Sequence, residues 1–316
     1  MASLLTNVCR LVPVDGRVAP RMERLSRIVR RYARHREIRA ARYPWNVAAH
    51  WLRWQLSSRE AIERWINQRL AMAGHNWVFI AGCNNSGTTL LREVLGSHPE
   101  IRALPREGQI LTSALPTPTS MGVPRLFGTR LDVFRWTEDS DPEPALRAKY
   151  DWARFFPRRP GHPLVKSPED TVRTRWLQRN FAPARFVGIV RSAYAVCEGT
   201  RRRSGHSIAD AAVHWTKVNE CLLDDMPHLE HALLLRYEDF CEDPQGYLER
   251  TRQALGLEAP FPPEALAARK VHNIDRKSSG IRNFNARSLE RLSRADLDTI
   301  NEIAGPVMLR LGYELA

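Results

Sequence analysis

The stretch that most constrains this chain is residues 77–96. Trp77-Val-Phe-Ile-Ala81 is a continuous apolar run of strand length. It passes into Gly82-Cys-Asn-Asn-Ser86-Gly87-Thr88-Thr89, after which Leu90, Leu91, Val94 and Leu95 recur on one side of a helix ending near Gly96. A strand, a glycine-containing turn and a helix in that order form a cradle for an anion. Glycines let the backbone approach closely, the first-turn amides lack intrahelical acceptors, and the helix dipole adds partial positive charge. Against the phosphate-loop pattern G-x-x-x-x-G-K-[ST], Gly82, Gly87 and Thr89 match, but Thr88 stands in the lysine position. Losing the lysine that serves β/γ-phosphates argues against triphosphate chemistry. Competing with the anion site is a plain tight turn capping a helix.

Further strand-like runs follow at 163–166, 185–190 and 232–235, separated by helix-like segments at 171–181, 207–225, 244–255 and 295–311. Alternation of this kind predicts an α/β fold, with a phosphate-loop-like central parallel sheet flanked by helices. Residues 112–163 break the rhythm. They hold eight of the 21 prolines together with Phe127, Phe134, Trp136, Trp152, Phe155 and Phe156. An irregular insertion is expected there, with its aromatics as candidate lining for an acceptor site.

The chain has 316 residues and a formal net charge of +13, and residues 1–70 carry 15 arginines against five acids. Residues 1–74 therefore read as a basic helical arm, with two helices bent at Pro44, and 75–316 as the main domain. Trp45, Trp51, Trp54 and Trp65 interleave with the arginines, so the arm is a candidate for peripheral contact with an anionic membrane; the plainer reading is an arm packed on the main domain with a solvated basic face. No specific nucleic-acid partner is predicted. Five scattered cysteines without a C-x-x-C pair predict neither a disulfide framework nor a zinc ribbon, and His228-Leu-Glu-His231 has no third partner, so no metal is expected. With no apolar run of membrane-spanning length and no signal-like start, a cytoplasmic protein is expected.

Ser86-Gly-Thr-Thr-Leu-Leu91 followed by Ser97-His-Pro-Glu-Ile101 resembles the 5′-phosphosulfate loop of sulfotransferases that use 3′-phosphoadenosine 5′-phosphosulfate (PAPS), most closely the tyrosylprotein-type and bacterial branches. The resemblance continues through Val165-Lys-Ser-Pro168, Phe186-Val-Gly-Ile-Val-Arg191, Leu235-Arg-Tyr-Glu-Asp-Phe240 and Ala304-Gly-Pro-Val-Met308, and spans roughly residues 76–315. It implies in-line transfer of a sulfuryl group from PAPS to a hydroxyl acceptor: a carbohydrate, a phenol, a peptide tyrosine or a lipid.

By resemblance, Glu107 in Pro105-Arg-Glu-Gly-Gln109 is the general base, with Glu100 a weaker competitor and a surface pair with Arg106 the alternative. Lys166 ends a strand, where ligands of open α/β sheets gather, and is one of only five lysines, so it is the candidate for stabilising the transferred group. A salt bridge to Glu169 or Asp170 is its bland alternative. The resemblance places Asn85, Ser86, Gly87, Thr88 and Thr89 around the 5′-phosphosulfate and Arg191 at the 3′-phosphate. Arg203 matches a second arginine of the tyrosylprotein-type branch. Two positions depart from the pattern. Gly199 stands where the family has a phosphate-binding serine, with Thr200 or Ser204 as substitutes, and Asn85 stands where many members carry a basic residue. Tyr237 is a candidate contact for adenine or its ribose, and Lys277 sits in a basic loop that would close over the 3′-phosphate. Two other readings remain open on sequence alone: a phosphate-loop kinase or nucleotide phosphotransferase, and a non-enzymatic membrane or nucleic-acid binder on a degenerate nucleotide fold.

Overall fold

The computed structural model describes residues 44–72, 74–267 and 281–316. Residues up to Arg64 belong to one compact unit and Trp65–Ala316 form the second. In the first, helix α1 spans Pro44–Leu56 and helix α2 begins at Arg59 and runs to Leu70. Pro44 is the first described residue of α1, and the expected bend there involves residues before it that lie outside the described ones. The break falls at Ser57-Ser58, where the Ser58 hydroxyl accepts from the Ala61 amide (3.3 Å) and caps α2. Residues 1–43, the greater part of the expected arm, lie outside the described residues.

The second unit is built on five strands: β1 (Trp77–Ala81), β2 (Ile101–Ala103), β3 (His162–Lys166), β4 (Ala184–Val190) and β5 (Ala232–Arg236). Their spatial order is β2-β3-β1-β4-β5, and every pairing is parallel. The α/β sheet read from the sequence is thus the observed fold. Strand β2 carried no sequence signal of its own. Three residues long, it exists through its pairing with His162, Pro163 and Leu164 of β3.

Helix α3 (Thr88–Leu95) follows β1, α4 is the single turn Leu131–Phe134, and α5 spans Glu143–Ala153. Then come α6 (Thr174–Asn180), α7 (Ala193–Ser204), α8 (Ile208–Asp225), α9 (Tyr237–Glu242), α10 (Pro244–Leu255), α11 (Asn285–Leu289) and α12 (Arg294–Arg310). Local chemistry sets their ends. Ser207 caps α8 through the Asp210 amide, Asp243 caps α10 through the Gly246 amide, and Gly205 and Gly256 close α7 and α10 with φ of 72° and 63°.

Strand periodicity divides the core between two faces. Val78 and Ile80 of β1 point to Leu90, Leu91, Val94 and Leu95 of α3. Trp77 and Phe79 point the other way, where Trp77 meets Trp152 and Phe156 at ring-centroid distances of 6.2 and 5.9 Å, and Phe181 at 5.0 Å. Here the insertion differs from expectation. It contains α5 and several 3-10 turns, and Phe127, Phe134, Trp152 and Phe156 are buried core. Each buried ring removes a large apolar area from water, and this outweighs the irregular backbone between them.

Candidate active site

The turn between β1 and α3 sits at the carboxyl edge of the sheet's central strand. Its backbone is sharply shaped: Asn85 has φ 66° and Gly87 φ 94°. A Cβ on Gly87 would stand 2.8 Å from the Tyr237 ring, and one on Gly82 only 2.5 Å from the Ile189 carbonyl oxygen, so both glycines are required by space. The first intrahelical bond runs from Leu91 N–H to Gly87 O (3.0 Å), which leaves the amides of Gly87, Thr88 and Thr89 without a protein acceptor among the described residues. Beside them the Ser86 hydroxyl is 1% exposed and has no hydrogen-bond partner. Orphaned donors around a glycine cradle fit a sulfate- or phosphate-sized anion.

Below the turn lies a neutral buried pair. The Gly128 amide donates to His214 Nδ1 (2.9 Å), so Nε2 carries the ring proton, 3.3 Å from Cys83 Sγ. Burial pushes the Cys83 thiol up to about 12 and His214 down to about 3. Cys83 is therefore a packing group that joins the loop to α8 and the insertion, not a thiolate nucleophile.

Glu107 and Lys166, 59 residues apart in sequence, meet: Lys166 Nζ lies 2.5 Å from Glu107 Oε1. Lys166 ends β3 and is 4% exposed, whereas Glu107 remains 34% exposed on its side chain. The carboxylate is aimed by its neighbours. A Cβ on Gly108 would collide with Val165 (2.8 Å) and Trp152 (2.9 Å), Trp152 Nε1 donates to Gly108 O (2.9 Å), and Gln109 Nε2 donates to Glu107 Oε2 (3.0 Å). Gln109 was not among the sequence candidates and Trp152 was one only as acceptor-site lining, since nothing local marks a residue that acts by holding another. Glu100, the competitor, accepts instead from the amides of Glu258 and Ala259 (3.2 and 2.8 Å). Glu169 is buried nearby. Burial, and after it the charge of Glu107, pushes its carboxyl up to about 8.

The matched family model, described as the sulfotransferase family, covers residues 78–262. That span is over half of the chain and includes the loop, Glu107, Lys166, Arg191 and Tyr237.

The chain belongs to the sulfotransferase family.

Its fold is that of solved sulfotransferases. The sulfotransferase domain of the Synechococcus PCC 7002 olefin synthase is similar with a TM-score of 0.50 and 22% identity, over 77% of this chain and 97% of that one. The sulfotransferase domain from the curacin biosynthetic pathway gives 0.46 and 21%, over 77% and 99%. Sulfotransferase STF1 from Mycobacterium tuberculosis gives 0.48 and 13%, over 78% and 81%. No curated protein matches the sequence. Sulfotransferases as a family take the sulfuryl group from PAPS and act on hydroxyl acceptors. No helix among the described residues is long and apolar enough to cross a membrane.

In this sulfotransferase Arg191, just past β4, stacks over Tyr237 (Cζ 4.2 Å from the ring centroid), and its Nη1 and Nε donate to Asn85 O (3.0 Å) and Asn285 Oδ1 (2.8 Å). The Tyr237 hydroxyl donates to Arg282 O (2.8 Å). Asn85, Arg191 and Tyr237 thus form one cluster beside the loop. Asn285 joins it from α11, another residue with no sequence signal. Thr200 Oγ1 accepts from Asn85 Nδ2 (3.0 Å) and donates to Val196 O (2.8 Å). Arg203 lies one helical turn beyond Gly199 and Thr200 on α7. Its side chain is exposed; partial desolvation and the charges of Arg125, Arg202 and Arg191 hold the guanidinium below the usual arginine range, against the opposing charge of Glu198. Lys277 and the loop around it lie outside the described residues.

Proposed function

We propose that the chain binds PAPS at the turn after β1 and transfers its sulfuryl group to a hydroxyl acceptor, with Glu107 as general base and Lys166 neutralising the transferred group. The contact between Lys166 Nζ and Glu107 Oε1 carries this reading, because it brings the two candidate catalytic groups together at the sheet edge that holds the anion cradle. The amides of Gly87, Thr88 and Thr89 and the Ser86 hydroxyl would hold the 5′-phosphosulfate. Arg191 would serve the nucleotide beside Tyr237.

In the transfer, Glu107 removes the acceptor proton as the acceptor oxygen bonds to sulfur. The bond from sulfur to the bridging oxygen breaks, and that oxygen keeps the electron pair as part of adenosine 3′,5′-bisphosphate. Lys166 leaves Glu107 for the developing negative charge, which frees the carboxylate at the moment a base is required. Glu169, still protonated at neutral pH, adds no second negative charge near the incoming anion.

The test is transfer of labelled sulfate from PAPS to a panel of carbohydrate, phenolic, peptide and lipid acceptors without added magnesium, alongside calorimetric titration of adenosine 3′,5′-bisphosphate. Magnesium-independent binding together with label transfer is expected. No binding of the bisphosphate, or binding only of a triphosphate with magnesium, overturns the reading.

A further inference from the structure

The chain of β1 continues past the end of its neighbour. Ile80 pairs with Lys166, the last residue of β3, and beyond that pair β3 gives way to a 3-10 turn, Pro168–Val172. Two residues past Ile80, Gly82 opens the anion turn where β3 has already ended. Its amide goes instead to the Thr171 hydroxyl, at 2.6 Å in a buried contact. A buried backbone amide needs an acceptor, and here a side chain supplies it.

The segment that carries Thr171 is held independently of Gly82. Every residue from Lys166 to Thr174 is buried. Arg173 Nε and Nη2 donate to Asp170 Oδ1 (2.9 and 2.7 Å), Arg135 Nη1 donates to Val172 O (3.1 Å), and the Thr174 hydroxyl donates to Asp225 Oδ2 of α8 (2.6 Å). Near its start Ser167 lies against Gly108, where an added Cβ would stand 3.1 Å from Ser167 Oγ. One short stretch thus begins with Lys166, flanks the residue after Glu107, and reaches the first residue of the turn. The rest of the turn is fastened from elsewhere: Cys83 meets His214, Asn84 donates to the Arg125 carbonyl, and Asn85 donates to Thr200.

We propose that Thr171 is a positioning residue for sulfuryl transfer: by accepting from the Gly82 amide, it fixes the distance between the anion turn and the pair formed by Lys166 and Glu107. The assignment rests on the PAPS reading and extends it. Transfer is sensitive to that distance, because misplacing the reacting atoms by about 1 Å costs about a hundredfold in rate. Nucleotide affinity is less sensitive, since a bound nucleotide moves with the turn and the anchors at Cys83, Asn84 and Asn85 remain.

The experiment measures two quantities on the full chain for the natural protein, Thr171→Val and Thr171→Ser, each well below its melting temperature. One is single-turnover transfer from PAPS to the acceptor that the natural protein labels fastest in the panel above; the other is calorimetric affinity for adenosine 3′,5′-bisphosphate. Valine keeps nearly the shape of threonine and removes the acceptor, whereas serine keeps the hydroxyl. Thr171→Val is expected to transfer about a hundredfold more slowly while binding the bisphosphate within about threefold of the natural protein, and Thr171→Ser to transfer within about fivefold of it. Both variants are expected to melt lower, the first for an unpaired buried amide and the second for a lost methyl group. A rate that follows the hydroxyl and not the melting temperature therefore separates positioning from stability. Equal losses of rate and affinity in Thr171→Val, or Thr171→Ser as slow as Thr171→Val, makes Thr171 structural and overturns the assignment. Natural transfer rates in Thr171→Val overturn it as well. A natural protein that binds no bisphosphate overturns the PAPS reading beneath it.

Discussion

A Cβ on Gly199 would stand 3.4 Å from Cγ of Asn85, so the two positions at which this chain departs from the family pattern are packed against each other. Asn85 reaches across the space a serine side chain would share and bonds to Thr200. The two positions are thus in direct contact.

Restoring one residue alone should therefore fail. Gly199→Ser is expected to displace the Asn85 carboxamide and leave bisphosphate affinity unimproved, whereas Gly199→Ser with Asn85→Lys should bind more tightly than either single variant. A double-mutant cycle is expected to give a coupling of about 1 kcal/mol, within the usual range for residues in contact. Additive affinities would show that the two positions are independent.

Glu107→Gln should lower turnover by about 10²–10⁴, as for loss of a general base, with bisphosphate affinity nearly unchanged. Since Lys166 touches Glu107, the double variant Glu107→Gln with Lys166→Ala should lose less than the product of the single losses. Single-turnover kinetics with PAPS measures both. Normal turnover in Glu107→Gln removes the residue from the chemistry.

Gly87→Ala places a methyl group 2.8 Å from the Tyr237 ring at a φ of 94°. Strain of this kind costs about 1–3 kcal/mol. A lower melting temperature and bisphosphate binding weakened at least tenfold are expected. Shrinking the obstructing ring with Tyr237→Leu should recover part of the melting temperature, and no recovery would place the fault in the backbone alone.

Glu169 gives a pH signature. Its carboxyl is raised from the ordinary 4.5 to about 8 by burial and by Glu107, so the folded state holds a proton that the unfolded chain gives up. The associated stability is fully present below about pH 4.5 and is lost as pH rises to about 8. Glu169→Gln is expected to flatten that decline, so that its melting temperature gains on the natural protein between pH 5 and 8. Parallel curves across that window would mean Glu169 is ionised in the fold.

Much of the architecture could be read locally. The apolar runs at 77–81 and 185–190 became β1 and β4, and the helices at 207–225 and 244–255 appear within a residue of their expected bounds. Their signals lie in a few consecutive residues: strand-length apolar runs, Ser207 and Asp243 as caps, Gly256 as a stop. Helix α7 was less visible, because Gly199 and the arginines that follow weaken its pattern. The insertion misled for a different reason. Prolines mark local irregularity, but they carry no information on where the rings of Trp152 and Phe156 pack.

The chain by itself determined the glycine-cradled turn, because Gly82, Gly87 and the orphaned amides of a helix start are consequences of adjacent residues. It also determined which side chains were candidates for chemistry. Only the tertiary structure decided that Glu107 meets Lys166 and that Asn85 packs beside Gly199. Each of those relationships joins residues far apart in sequence, and their separation in space depends on the strand order β2-β3-β1-β4-β5 and on the core packed between sheet and helices, which no local propensity encodes.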